Sequence, residues 1–368
     1  MTDLTGNKVA ALVAAAADVL AVEDVTEGVA PGNAVRLRGR LRVPSDEAYD
    51  RLAARFRPLG VTPLLRKRQD GGHSGGGEEV LALPVTFAPA EQRVGLALLL
   101  FGLTVLSALF AGAQMVEGLT ETNWNLLDGW PFAASLLAIL AAHEFGHYLM
   151  ARRLGSPTSL PYFIPMPLGP FGTLGAFIRM SAPPRNRRHL LMIGAAGPLA
   201  GLVLAVPILW LGLSLSHVLP QPASNYMLEG NSLLYASLKL AMFGKWLPGG
   251  GEDVFIHAVA FAGWAGLLVT GLNLIPAGQL DGGHIVYALL GPRGARTVTW
   301  IVLAALVGLS FLWTGWILWL VLVFLFSRLQ DMPLDDITEL RRSQRLLAAA
   351  MVVVFLLVFT PIPLTLVR

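Results

Sequence analysis

From Arg93 onward the chain reads as long apolar runs, most of them closed on one side by arginines. Several approach or exceed the roughly 20 apolar residues that cross a bilayer as a helix. The pattern predicts crossings at 94–116, 129–151, 189–216 and 254–276, a pair within 297–327 divided near WTGW, and a last one at 346–363. Counted this way there are about seven transmembrane helices. A shorter apolar stretch, NSLLYASLKLAMFG at 231–244, predicts an interfacial or re-entrant helix. Residues 157–188 break the pattern, being rich in proline and glycine with the strand-like GTLGAFIRM in their middle. Such a segment predicts a β-hairpin at membrane depth, tolerable only where it is buried in protein or lines a wet cavity.

Before Arg93 the period changes. In AVRLRGRLRV, Val35, Leu37, Leu41 and Val43 alternate with Arg36, Arg38, Arg40 and Arg42, which is the period of a half-buried strand with one basic face. That face fits either a solvated sheet surface or contact with anionic headgroups or a ligand. Ser45 reads as the N-cap of a helix carrying Tyr49, Leu52, Phe56 and Leu59 on one stripe, and two more strand-like runs flank the turn-rich QDGGHSGGG. The expected unit is β-α-β-β. The alanine-rich VAALVAAAADVLAV near the start has Asp3 before it, a single flanking lysine and Asp18 within it, which argues against a cleavable signal peptide. The predicted fold is a polytopic α-helical membrane protein with a membrane-embedded β-hairpin region, residues 91–368, preceded by a small α+β domain, residues 1–90.

Composition sharpens this. At 54% hydrophobic and 14% charged, the chain is too apolar for a soluble protein of its size. It has no cysteine, so disulfides and thiolate metal sites are excluded, and any metal must be held by His, Asp or Glu. The net charge of +3 is small, and the basic residues gather at membrane edges, which fits a lipid bilayer and not nucleic acid. Arg93, Arg152 and Arg153, Arg185, Arg187 and Arg188, Arg293 and Arg296, and Arg341, Arg342 and Arg345 all fall on one side of the predicted spans. That side, and the amino-terminal domain with it, is expected to be cytoplasmic.

The chemistry lies in HEFGH, embedded in an apolar helix. His143 and His147 are four apart, share a helix face and suit two imidazoles converging on one ion, with Glu144 beside them. Ionisable groups inside a span are functional by default. A catalytic zinc needs a third protein ligand, and the best candidate is in GLNLIPAGQLDGGH. Pro276 must end or kink the helix carrying Asn273, and the following glycines favour a sharp non-helical turn that presents Asp281. His284 competes for the same role, with Asp281 preferred. His73, His189, His217 and His257 read as structural or solvated.

HEFGH together with NLIPAGQLDGG resembles the site-2 protease family of intramembrane zinc metalloproteases, whose marks are HExxH in one membrane helix and NxxPxxxLDG in another. GTLGAFIRM, GAAGPLAG and IHAVAFAGWAGLLVTGLNLIPAGQLDGG extend the likeness over roughly residues 30–330. They are similar to the branch of bacteria and chloroplasts that carries a small amino-terminal domain in place of a PDZ domain. The resemblance implies regulated intramembrane proteolysis of single-span membrane-protein substrates, in a bacterial plasma membrane. It implies one catalytic Zn2+ on His143, His147 and Asp281, Glu144 as general base, and Asn273 near the reacting carbonyl. GTLGAFIRM could hold an unwound substrate by strand addition, with Gly172 and Gly175 leaving room and Ala176, Phe177 and Ile178 offering the pairing edge. Gly194, Gly197, Pro198 and Gly201 suggest close helix packing near the site. Two other classes stand beside this one: a metal or ion transporter, and an inactive relative that binds membrane helices without cutting them.

Overall fold

The computed structural model describes residues 6–30, 32–68, 77–88, 91–115, 125–222, 226–327 and 332–367. His73, with most of QDGGHSGGG, lies outside them. The chain forms two compact units. The smaller takes in Met1–Pro89 together with two later stretches, Ser181–Leu190 and Asp331–Gln344, and the larger holds the remainder.

The smaller unit contains α1 (Gly6–Ala16), β1 (Leu20–Val29), β2 (Ala34–Leu41), α2 (Ser45–Phe56), β3 (Thr62–Lys67) and β4 (Glu78–Leu83). The strands form one antiparallel sheet in the order β1-β2-β4-β3. The β2 alternation is realised: Val35 and Leu37 are buried, and they join Leu12 of α1, Leu52 and Phe56 of α2, and Val80 of β4 in one core. On the opposite face Arg38 pairs with Glu79 at 3.8 Å and Arg40 with Glu23 at 3.9 Å, so neighbouring strands supply the acids that balance the basic row.

Two local expectations differ from the fold. The unit starts with α1 and β1, ahead of the expected β-α-β-β; β1 (LAVEDVTEGV) reads as polar because it is an edge strand with three acids. Ser45 is the first helical residue and not the cap, since Pro44 holds the cap position and its carbonyl accepts from Ala48 N–H. The Ser45 hydroxyl is instead hydrogen-bonded to that of Thr338 at 2.8 Å.

The larger unit contains α3 (Val94–Ala113), α4 (Trp130–Arg153), β5 (Tyr162–Pro165), β6 (Thr173–Phe177), most of α5 (Arg187–Ser214), β7 (His217–Pro220), β8 (Tyr226–Glu229), α6 (Leu233–Phe243), β9 (Glu252–Phe255), α7 (Ala258–Asn273), α8 (Asp281–Ser310), α9 (Trp316–Phe326), most of α10 (Arg342–Val358) and β10 (Leu364–Val367). Among the described residues, three helices are long and apolar enough to cross a membrane: α3, α4 with the turn before it, and α5. The apolar helices α6, α7 and α9 are shorter. α8 bends at Gly291, whose φ of 72° is outside helical space and which precedes Pro292, a residue unable to donate to the turn before it. Leu98, Leu99, Trp300, Ile301 and Phe311 stand outward. An apolar surface of this extent belongs against lipid.

β5 and β6 pair antiparallel, Tyr162 opposite Phe177 and Phe163 opposite Ala176, and rest against α3 and α4. Two further two-stranded sheets join β7 to β9 and β8 to β10. Between them lies a buried ionic cluster. Lys239 of α6 is fully buried, its Nζ 3.9 Å from Glu229 Oε1 of β8, 3.8 Å from Asp253 Oδ1 of β9 and 4.6 Å from the centre of the Tyr235 ring. The Tyr235 hydroxyl donates to Glu229 Oε1 at 2.8 Å.

Candidate metal centre

HEFGH lies in the second half of α4, which reaches Arg153 without a break. Phe145 and Leu149 point outward, while His143, Glu144 and His147 are buried at 3%, 7% and 7% exposure. Placing three ionisable groups there is costly unless each has a partner.

The partner comes from the other motif. α7 ends at Asn273, the chain turns through Pro276 and Gly278 (φ 58°), and α8 opens with Asp281 as its first residue. Gly282 and Gly283 therefore belong to the first helical turn and not to a non-helical one. Their role is packing: a Cβ on Gly282 would meet the Ile275 carbonyl oxygen at 2.6 Å, and one on Gly283 would meet that of Ala277 at 2.7 Å. The helix start is pressed onto the turn that precedes it, and this aims Asp281 at α4.

His143 Nε2 and His147 Nε2 are 3.2 Å apart, and each is 3.3 Å from Asp281 Oδ2. Donors about 2.0–2.1 Å from one tetrahedral zinc stand about 3.3–3.4 Å from each other, so the triangle has the size that ion requires. The protonation pattern fits as well. His147 Nδ1 lies 2.8 Å from the Ile193 carbonyl, which can only accept, so Nδ1 carries a proton, and in the neutral imidazole a metal ligand requires, the lone pair is on Nε2 and faces the triangle. Asn273 joins the group, its side-chain amide nitrogen 3.3 Å from His143 Nε2. Among the described residues, His143, His147 and Asp281 are the set whose ligand atoms converge; His284 is not in it, and its Cβ instead faces the space a side chain at Gly194 would take.

α5 supplies the second side of the site by being small. A Cβ on Gly197 would overlap the His147 ring, one on Gly201 would meet His143 Nδ1 at 3.3 Å, and one on Gly146 of α4 would meet the Ala196 carbonyl at 2.6 Å. The glycines of GAAGPLAG therefore let the two helices close on the imidazoles. The Ile193 carbonyl has no sequence signal, because any residue would provide it.

The strand residues are placed separately. Gly175 (φ 99°) and Ala176 lie within β6, Phe177 ends it, and Ile178 is already beyond it. Gly172 (φ 69°) is pressed against α3, where a Cβ would lie 2.6 Å from Ala108 Cα, so its lack of a side chain serves packing. The Gly175 N–H is taken by the Thr173 hydroxyl at 3.0 Å. His257 caps α7, its Nδ1 accepting from Val259 N–H at 3.2 Å, in line with a structural role.

Fold and site together define a helical membrane protein with a buried centre of two histidines and one aspartate suited to a metal. The chain belongs to peptidase family M50, whose model matches residues 131–314, half of its length. The "Probable zinc metalloprotease EGY2, chloroplastic" of Oryza sativa subsp. indica is 32% identical over 295 residues, which cover 77% of this chain and 51% of that protein. Its namesake in Arabidopsis thaliana is 33% identical over 270 residues, 70% of this chain and 45% of that protein. The "Probable zinc metalloprotease EGY1, chloroplastic" of Arabidopsis thaliana is 32% identical over 239 residues, 63% of this chain and 43% of the relative. The chain thus spans about half the length of the curated relatives it matches. No solved structure matches it.

Proposed function

We propose that the protein is an intramembrane zinc endopeptidase that hydrolyses peptide bonds within or beside the transmembrane segments of single-span membrane proteins. The observation that carries this reading is the convergence of the His143, His147 and Asp281 donors at 3.2–3.3 Å, with Glu144 on the same turn of α4. Zinc held there supplies Lewis acidity, polarising a peptide carbonyl and making water nucleophilic near neutral pH. Glu144 takes the proton of the attacking water and hands it to the leaving amide nitrogen. Asn273 offers its amide to the developing oxyanion or to the substrate backbone. A transporter would use the same ligands but has no need of a carboxylate at position 144.

A peptide bond inside a helix is already hydrogen-bonded, so the substrate unwinds locally before it is cut. We assign the holding of the unwound stretch to β6 and its continuation, Gly175, Ala176, Phe177 and Ile178, with Gly172 shaping the turn that leads in. In this reading the chain crosses the bilayer about seven times with the β5–β6 pair at membrane depth. Residues 1–90 are a cytoplasmic domain and 91–368 the protease, in a bacterial plasma membrane with the arginine-rich ends inward.

The test is cleavage of a single-span helical substrate by the purified protein in lipid vesicles. Activity is expected, lost on chelation and restored by zinc. Glu144→Gln should keep zinc near stoichiometric while cutting about 10²–10⁴-fold more slowly; substantial cleavage by that variant would remove the mechanism. Proline at Ala176, Phe177 or Ile178 should, in at least one case, weaken cleavage by a factor worth about 1–3 kcal/mol with zinc retained. Equal activity in all three would make the strand a passive wall.

A further inference from the structure

The amino-terminal sheet does not stop at β3. Leu65 donates its N–H to the Leu334 carbonyl at 2.9 Å and accepts from Asp336 N–H at 3.1 Å, so residues 334–336 run along the outer edge of β3. Residues 184–186 continue the ladder: the N–H groups of Leu334 and Asp335 donate to the carbonyls of Pro184 at 2.9 Å and Arg185 at 2.7 Å. Asp335 is fully buried, and its carboxylate accepts from the N–H groups of Ile337 at 2.9 Å and Thr338 at 3.2 Å and from the Thr338 hydroxyl.

Three arginines around this ladder each have their own acid. Arg185 pairs with Asp50 at 2.7 Å, Arg187 with Asp336 at 2.7 Å, and Arg188 with Asp46 at 3.2 Å. Arg185 also lies over the ring of Tyr49, 5.7 Å from its centre. Burial pushes the Tyr49 phenol up to about 12, so it stays neutral beside the guanidinium. Read from sequence, these three arginines serve only to set membrane orientation. In the fold they are the joint through which residues 181–190 belong to the amino-terminal unit.

The joint has a consequence because α5 begins inside it. Arg187 is the first residue of α5, and Ile193, whose carbonyl orients His147, lies six residues further along the same helix. That distance is roughly 9 Å of continuous helix. We propose that the amino-terminal domain is a positioning element for the metal centre: its hold on Arg185, Arg187 and Arg188 fixes the start of α5, and through Ile193 the orientation of His147. This rests on the reading of His147 as a zinc ligand. Groups that orient a ligand from behind are worth about 10–100-fold in metal affinity, and that is the scale expected here.

The test uses the full-length protein loaded with zinc and follows transfer of the metal to a chromogenic chelator, with no peptide present. Arg187→Asp sets like charge against Asp336, which is 8% exposed, and should speed zinc release by about 10-fold or more. The charge swap Arg187→Asp with Asp336→Arg should return most of the retention, and Arg187→Lys should fall between if the single reversal folds poorly. Arg51→Ala removes exposed pairs with Asp18, 3.8 Å, and with Glu47, elsewhere in the same unit, and should leave the rate unchanged. Wild-type release from Arg187→Asp, a swap no better than the single reversal, or an Arg51→Ala as leaky as Arg187→Asp would each overturn the proposal. Wild-type protein that binds no zinc at all would instead sink the reading of the site, whereas zinc binding without peptidase activity would leave this inference standing.

Discussion

Two buried polar clusters of the larger unit differ in where their positive charge comes from. In the cluster on α6, β8 and β9 the cation is a side chain: Lys239 sits between Glu229 and Asp253, and Tyr235 supplies both a ring face and a hydroxyl. In the cluster on α4 and α8, among the described residues no lysine or arginine pairs with the triangle; two imidazole nitrogens and a carboxylate oxygen converge at 3.2–3.3 Å. A buried polar group without a partner is expensive, and the first cluster meets that cost internally. In the proposed reading the second, with Asn273 donating to one side of it, is completed by an ion from outside. A buried cluster that brings its own cation thus reads as a fastening, and one whose ligand atoms converge on a common centre without one reads as a candidate binding site.

This contrast can be broken by exchange of parts. The largest effect is expected from Asp281→Ala, which removes one of three ligands and should leave little zinc and no measurable cleavage, while His284→Ala keeps zinc; metal analysis of both variants decides, and the reverse pattern would reassign the third ligand. Next comes Lys239→Met, which strands two carboxylates in the interior. It should cost about 3–5 kcal/mol of stability while the fraction that stays folded keeps its zinc; loss of metal in proportion to the folded protein would show that the clusters are not independent. Gly197→Ala pushes a methyl group into the His147 ring and should weaken zinc binding by about 10–100-fold, with thermal stability measured in parallel to separate packing from ligation. The smallest effect belongs to Tyr235→Phe, which deletes one hydrogen bond to a charged group, about 1.5–3 kcal/mol, and should leave zinc affinity untouched.

Sequence carried the metal centre further than the rest because its information is local. His143 and His147 need only helical spacing, and Pro276 ahead of Asp281 is enough to stop one helix and start another. Of the glycines that follow Pro276, Gly278 makes the sharp turn the sequence suggests, while Gly282 and Gly283 instead let α8 press against the preceding carbonyls. The ionic cluster left no such trace, since Glu229, Lys239 and Asp253 lie ten or more residues apart on three elements and each reads as an ordinary polar residue. The arginines at 185–188 were visible but ambiguous, because the same residues satisfy a topology rule and an ion-pair ladder. The Ile193 carbonyl could not be found at all, as every residue offers one.

The small sheets impose a rule of parity on the chain's path. Strands in one sheet share a side of the bilayer, because an open ladder cannot be completed through hydrocarbon. β7 and β9 are paired, and α6 is, among the described residues, the one helix between them, so in the proposed threading α6 leaves and returns on the same face. β8 and β10 are paired as well, so in that threading the stretch from Glu229 to Leu364, which holds α6, α7, α8, α9 and α10, crosses an even number of times. In that threading, spans in this stretch are gained or lost in twos, and a change that deleted any one of them would first have to unzip β10 from β8.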